Sequence, residues 1–163
     1  MKPTCIAIPL IAFSLAALAS AFASHGLPGV DVDVSWYDTL NLPSFTPPNW
    51  VFGVVWPAIV ILATTSLILV WNNPELRTER GTFGFLIALF ALNGLLYVSW
   101  TPIFFVLHLL DLAVWVAGFL AADVWSLTFL TWRFSRIAAA LLLPYALWAT
   151  FATYLAYSVA ALN

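Results

Sequence analysis

From Trp36 to Trp56 the chain reads WYDTLNLPSFTPPNWVFGVVW, a proline- and aromatic-rich connector that runs straight into an apolar helix. Pro43, Pro47 and Pro48 fix φ and hold the residues before them extended, so the stretch is no flexible tether. Trp36, Tyr37, Phe45, Trp50, Phe52 and Trp56 carry flat or amphipathic rings suited to the membrane–water boundary, or to gripping a planar ligand. The reading is a stiff aromatic lid over a helical bundle.

Composition sets the class. The chain has 163 residues, 64% of them hydrophobic and only 7% charged. A soluble domain of this size has a charged surface to build, and the residues for it are missing here. The expectation is an all-α integral membrane bundle, with the lipid bilayer as its surroundings. A net charge of −2 argues against nucleic acid or another polyanionic partner. Cys5 is the only cysteine, which excludes an intramolecular disulfide or a cysteine-based metal cluster. No linker, low-complexity tract or repeat divides residues 1–163, so one domain is expected.

A membrane-crossing helix needs about 20 mostly apolar residues. Five stretches qualify: 4–24, 50–71, 81–107, 110–131 and 137–162, with the lid as the loop 25–49. His25 to Gly29 breaks the first, and Asn72-Asn73-Pro74 ends the second. The turn between the third and fourth is only 107–110, so those helices are antiparallel neighbours. Charge tests the count independently. With five spans, all five basic residues, Lys2, Arg77, Arg80, Arg133 and Arg136, fall on one side, while Asp31, Asp33 and Asp38 lie opposite. The positive-inside rule then places the N-terminus in the cytoplasm and the lid outside, in a membrane of the prokaryotic inner (cell) membrane type. Residues 1–23 also carry the pattern of a secretory signal, with Lys2, an apolar run and Ala21-Phe22-Ala23. Against that reading, the basic region is one lysine and the apolar run is long enough to span.

Pro9, Pro57, Pro102 and Pro144 sit inside spans, where neighbouring groups can re-satisfy the freed carbonyls. Pro9 reads as a packing kink; at the other three, packing and cavity-widening are equally open. Trp56 and Trp100 lie about 9 Å and about 10 Å from the outer ends of their spans, and Trp148 lies near mid-depth. These are too deep for an interfacial belt, where Trp71 and Trp132 fit. A buried indole N–H wants an acceptor, so deep tryptophans mark either a packed aromatic core or a lined pocket. Asn93 and Tyr97 are one turn apart and share a face; interhelical glue and ligand contact are both open. Asp111 reads as a solvated or capping residue. Asp123, about 18 Å along its helix, is an intramembrane carboxylate and so a functional candidate. It is expected to be protonated, hydrogen-bonded or facing water. His25 and His108 read as interfacial polar residues. Phosphate-loop, metal-ligand and Ser-His-Asp patterns are absent from the sequence.

Three ordered motifs give a resemblance. They are Trp36-Tyr37-x-x-Leu40 with Pro43, Pro47-Pro48-x-Trp50-x-Phe52 and Trp56; Trp100-Thr101-Pro102-Ile103-Phe104-Phe105; and Pro144-Tyr145-x-x-Trp148-x-x-Phe151-Ala152-Thr153. Across most of its length the chain resembles the translocator proteins, also called tryptophan-rich sensory proteins or peripheral benzodiazepine receptors. The resemblance implies a five-helix bundle, often a homodimer, with a pocket beneath the first loop. That pocket takes porphyrins, and in some members sterols and benzodiazepine-like drugs; some bacterial members degrade protoporphyrin in a light-dependent reaction. By correspondence Trp56, Trp100, Trp148 and Ala152 are pocket residues and Trp50 and Phe52 stand at its mouth. Tyr37, Pro47, Pro48, Asn93 and Tyr97 complete the expected ligand-binding set, with no metal site. The expected ligand is protoporphyrin IX or a haem-like planar tetrapyrrole, and no cofactor is required.

The chain departs from the family pattern at several places. Leu42 stands where a lysine is usual, and Tyr97 where an asparagine is, with Asn93 a turn earlier. Leu155-Ala156 replaces Leu-Asn, Tyr154 replaces a threonine, and the loop between spans three and four is short. No basic residue follows Tyr157, so the cholesterol motif, weak even when complete, is broken. Three functions follow in order. The first is a binding protein for sensing, sequestration or transport. The second is a light-dependent porphyrin-degrading enzyme using Trp56 and Trp148. The third is a proton-coupled transporter with Asp123 as its proton site. Small residues at Ala16, Ala17, Ala19, Ser20, Ala21 and Ala23 permit a close helix neighbour, in the same chain or in a second copy.

Overall fold

Among the described residues, four apolar helices are each long enough to cross a bilayer. The computed structural model describes residues 34–163. The first expected span, 4–24, and the lid residues before 34 lie outside the described residues. So do Lys2, Pro9, His25, Asp31, Asp33 and the small-residue face of the first span. The described helices are α1 (Val34–Tyr37), α2 (Asn49–Trp71), α3 (Pro74–Thr78), α4 (Arg80–Phe105), α5 (Leu110–Trp132) and α6 (Arg136–Leu162). The four long ones match the second to fifth expected spans within two residues at each end. α2, at 23 residues, extends about 35 Å, and α6, at 27 residues, about 40 Å. Apolar side chains surround α2, α4 and α5 instead of forming one stripe, as lipid-facing helices do.

Two short helices, α1 and α3, interrupt stretches expected to be loop. α3 has a local cause: Asn73 caps it, its side-chain oxygen accepting from the Leu76 N–H at 2.8 Å, and Pro74 occupies the first turn. Asn73 also donates through Nδ2 to the Phe134 carbonyl at 3.0 Å, tying the α2–α3 corner to the α5–α6 corner. Ser135 caps α6 in the same way, through Ala138. The arginines gather at this end. Arg77 lies over the rings of Trp71 and Phe83, and Arg133 bridges to Glu79 at 3.1 Å.

At the other end α4 turns into α5 through residues 106–109, where His108 takes φ 54°. α4 therefore stops at Phe105, two residues short of the expected boundary. α6 is the hub: it packs along α5 and against α2, while α5 also packs on α4. Ser66, fully buried, donates to the Ala138 carbonyl at 2.8 Å and pins α2 to α6. No comparable seam joins α2 to α4 among the described residues, and the rings of Trp56 and Tyr97 reach across that side. The helices run unbroken through Pro57, Pro102 and Pro144.

Candidate ligand-binding site

The lid is held down by its rings. α1 lays Trp36 flat on His108, centroids 3.9 Å apart and 15° from parallel, with its edge towards Phe104 at 5.6 Å. Tyr37 leans on Phe104 and Phe105. Burial first, and the neighbouring Asp38 second, push the Tyr37 phenol above its ordinary value. Farther along, Thr46 closes a turn on the Pro43 carbonyl through both its backbone N–H and its hydroxyl. Phe45 then stacks on Tyr154 at 5.2 Å and touches Phe151. Pro48 leads into α2 from an extended conformation. Pro47 is half-buried in the cover and Pro48 exposed.

Beneath the lid the deep aromatics form two clusters. In the first, Trp100 stacks on Phe104 at 4.8 Å and 15°, and its Nε1 donates to the Ala113 carbonyl at 3.1 Å. In the second, Trp56 stands edge-on to Trp148 with centroids 6.3 Å apart, and Tyr97 lies against Trp56 at 5.4 Å. Phe52 and Phe151 flank Trp148 at 5.8 and 5.4 Å and border both clusters. The Nε1 of Trp148 is buried and has no hydrogen-bond partner among the described residues.

Trp56, Trp100 and Trp148, expected together at one pocket, are divided between the two clusters. Trp100 has gone to a separate cluster, because its N–H found an acceptor on α5 and its ring a partner one turn ahead. Trp56 and Trp148 touch. An apolar groove of about 420 Å³ opens between α2 and α6; Trp148 lines it, and Trp56 is not among its lining residues. Val54, Ala58, Ile59, Pro144, Trp148 and Phe151 are among its lining residues. Pro144 is thus at the cavity, whereas Pro57 and Pro102 are not among the residues lining it. Trp50 is 70% exposed at the start of α2 and stands outside both clusters. Ala152, half-buried, follows Trp148 by one turn of α6. Asp111 is exposed in the first turn of α5.

Asn93 is not at the groove. It is buried between α5 and α6, where Tyr145 Oη donates to its Oδ1 at 3.0 Å and its Nδ2 donates to Asp123 Oδ2 at 2.9 Å. Of its two open readings, interhelical glue is what the contacts show. Asp123 is hydrogen-bonded, one of the three conditions expected of it. The sequence reading missed Tyr145 and Phe104 as partners. The signal for Tyr145 existed, since two intramembrane polar residues, Asn93 and Asp123, both required partners.

The chain matches the sequence model of the TspO/MBR family over residues 5–162. It is 32% identical to protein CrtK of Rhodobacter capsulatus over 163 residues, all of this chain and 95% of the relative. It is 33% identical to the tryptophan-rich protein TspO of Bacillus cereus, covering 81% of this chain and 83% of that one. With the human translocator protein it shares 32% identity over 93% of this chain and 88% of that one.

Proposed function

This chain belongs to the TspO/MBR family of integral membrane proteins, and from that premise we propose that it binds planar, largely apolar ligands of the tetrapyrrole class, such as protoporphyrin IX or a haem-like molecule, for sensing, sequestration or transport. The observation that carries the reading is the Trp56–Trp148 pair, two rigid rings beneath a proline-stiffened cover, of which Trp148 also lines an apolar groove. A flat macrocycle gains most from rings that need no ordering on binding. Parting one edge-to-face contact costs about 0.5–1.5 kcal/mol, which stacking on both indoles offsets. At about 420 Å³ the groove sits at the small end of ligand pockets, so the guest enters by wedging between Trp148 and Trp56. The unpaired Trp148 Nε1 then has an acceptor within the guest to meet. In this reading the arginine end faces the cytoplasm and the lid faces outward.

Titration of the protein in bilayers with protoporphyrin IX tests it. Tryptophan fluorescence is expected to be quenched, with Trp148→Ala weakening the apparent affinity about tenfold or more, the loss of one stacked aromatic anchor. Saturating porphyrin with no change in fluorescence would overturn the proposal. Illumination of the bound complex separates binding from light-dependent degradation. A stable new absorbing product, lost in a Trp56→Phe/Trp148→Phe double variant, would add catalysis to binding.

A further inference from the structure

Near the middle of the bundle three polar side chains from three helices form one directed chain. Tyr145 on α6 donates to Asn93 on α4, and Asn93 donates to Asp123 on α5, at 3.0 and 2.9 Å. Asp123 is only 6% exposed, and its second oxygen, Oδ1, is buried with no partner among the described residues. Among the described residues, the elements packed on α5 bring it no cation. Arg80 and Arg136 open α4 and α6, about 20 Å and about 14 Å along the helix axes from Asn93 and Tyr145. The other titratable groups near this layer are the phenols of Tyr145 and Tyr97. Tyr97 stands one turn beyond Asn93 on α4, and Trp148 stands one turn beyond Tyr145 on α6. The chain is therefore the layer next to Trp56, Tyr97 and Trp148.

An asparagine amide can stand in this chain in two senses. As found, every donor points towards Asp123, which suits a carboxylate. Turning the Asn93 amide by 180° reverses the sense. A protonated Asp123 then donates to Asn93 Oδ1, Asn93 Nδ2 donates to Tyr145 Oη, and the Tyr145 hydroxyl proton is released to point elsewhere. The nearest layer for it to address is the aromatic one.

We propose that Asp123 is a proton-exchange site, and that its protonation, relayed by the Asn93 amide, turns the Tyr145 hydroxyl towards the aromatic cluster, where it serves an acceptor on the guest. One proton passes from water to a carboxylate oxygen, and only hydrogen bonds rearrange. Guest binding then favours the protonated state and takes up a proton, so affinity rises towards acid pH. The coupling rests on the binding proposal above; the proton site does not.

Infrared titration in bilayers tests the site without any guest. A carboxylic-acid band is expected that vanishes in Asp123→Asn and converts to carboxylate as the pH is raised. A second neutral variant, Asp123→Ser, guards against a folding defect in the first. Absence of any band specific to Asp123 that changes with pH overturns the site. For the coupling, the affinity for protoporphyrin IX is expected to rise about tenfold more on the acid side in the native protein than in Asp123→Asn. The comparison cancels the porphyrin's own titration. Reciprocally, saturating porphyrin should move the infrared midpoint up by about one pH unit, the linked counterpart of a tenfold change in affinity. Tyr145→Phe should keep the infrared band and flatten the pH dependence of affinity; a Tyr145→Phe profile like the native one overturns the relay. If the native protein binds no porphyrin, coupling and binding proposal fall together, while the infrared result still judges the proton site.

Discussion

Asn41 and Asn163, 122 positions apart, close a ring of hydrogen bonds: the Asn41 N–H donates to Asn163 Oδ1 at 2.9 Å, and Asn163 Nδ2 donates back to the Asn41 carbonyl at 3.1 Å. This clasp fastens the lid to the end of α6, in addition to the Trp36–His108 stack. Removing it with Asn163→Ala should cost about 0.5 kcal/mol, the low end for a pair of exposed hydrogen bonds. Amide exchange over residues 39–46 should accelerate while that of α2 stays unchanged. Equal exchange in variant and native protein would show that the aromatic contacts alone hold the cover.

Tyr37 gives the lid an alkaline limit. Its phenol is pushed above the ordinary value of 10.0 by burial and then by Asp38, so the docked lid holds the phenolic proton more tightly than the undocked one. The docking advantage is intact below about pH 10 and is lost as pH rises through the docked value. Tyrosinate absorbance, taken as native minus Tyr37→Phe, should titrate above pH 10. A midpoint at or below it would remove the argument.

Ser66 is the polar rivet between α2 and α6. With its hydroxyl fully buried and bonded to a carbonyl, Ser66→Ala should cost about 1 kcal/mol, in the range of hydrogen bonds between membrane helices. Ser66→Leu should cost more, because the added bulk would force α2 away from α6 and widen the groove beside Trp148. Thermal unfolding in one detergent orders the two variants.

Gly118 has room to spare. A Cβ there would meet Thr153 Cγ2 at 3.8 Å, an ordinary van der Waals contact. Gly118→Ala should therefore stabilise α5, by up to about 1 kcal/mol of helix propensity. A fall in melting temperature would mean that α5 and α6 approach more closely in the membrane than their contacts here show.

The long helices were legible because each is an uninterrupted apolar run bounded by residues with a physical reason to stop it. Asn73 and Ser135 are such residues, and both act as caps. The early end of α4 was not legible: His108 adopts a left-handed backbone without a glycine to announce it. Ring partnerships were only half legible. Depth placed Trp56 and Trp100 at nearly one level and Trp148 deeper, but depth does not fix helix rotation, and rotation set Trp56 against Trp148 and sent Trp100 to Phe104 and the Ala113 carbonyl. Asp123 could be flagged as needing company, yet its link to Asn93 depends on how α4 and α5 are turned, which apolar sequence all round a helix leaves unspecified.

The brevity of the corner between Phe105 and Leu110 bears on how the protein is made. Four residues cannot hold a hydrophilic loop that lingers in water while one helix is already embedded and its successor is still being translated. α4 and α5 are thus expected to enter the lipid together, as a single hairpin, with His108 at the leading tip. Lengthening that corner with a glycosylation acceptor would let the two helices be scored separately during insertion, and α5, whose buried face carries Asp123, is the one expected to falter when it must partition alone.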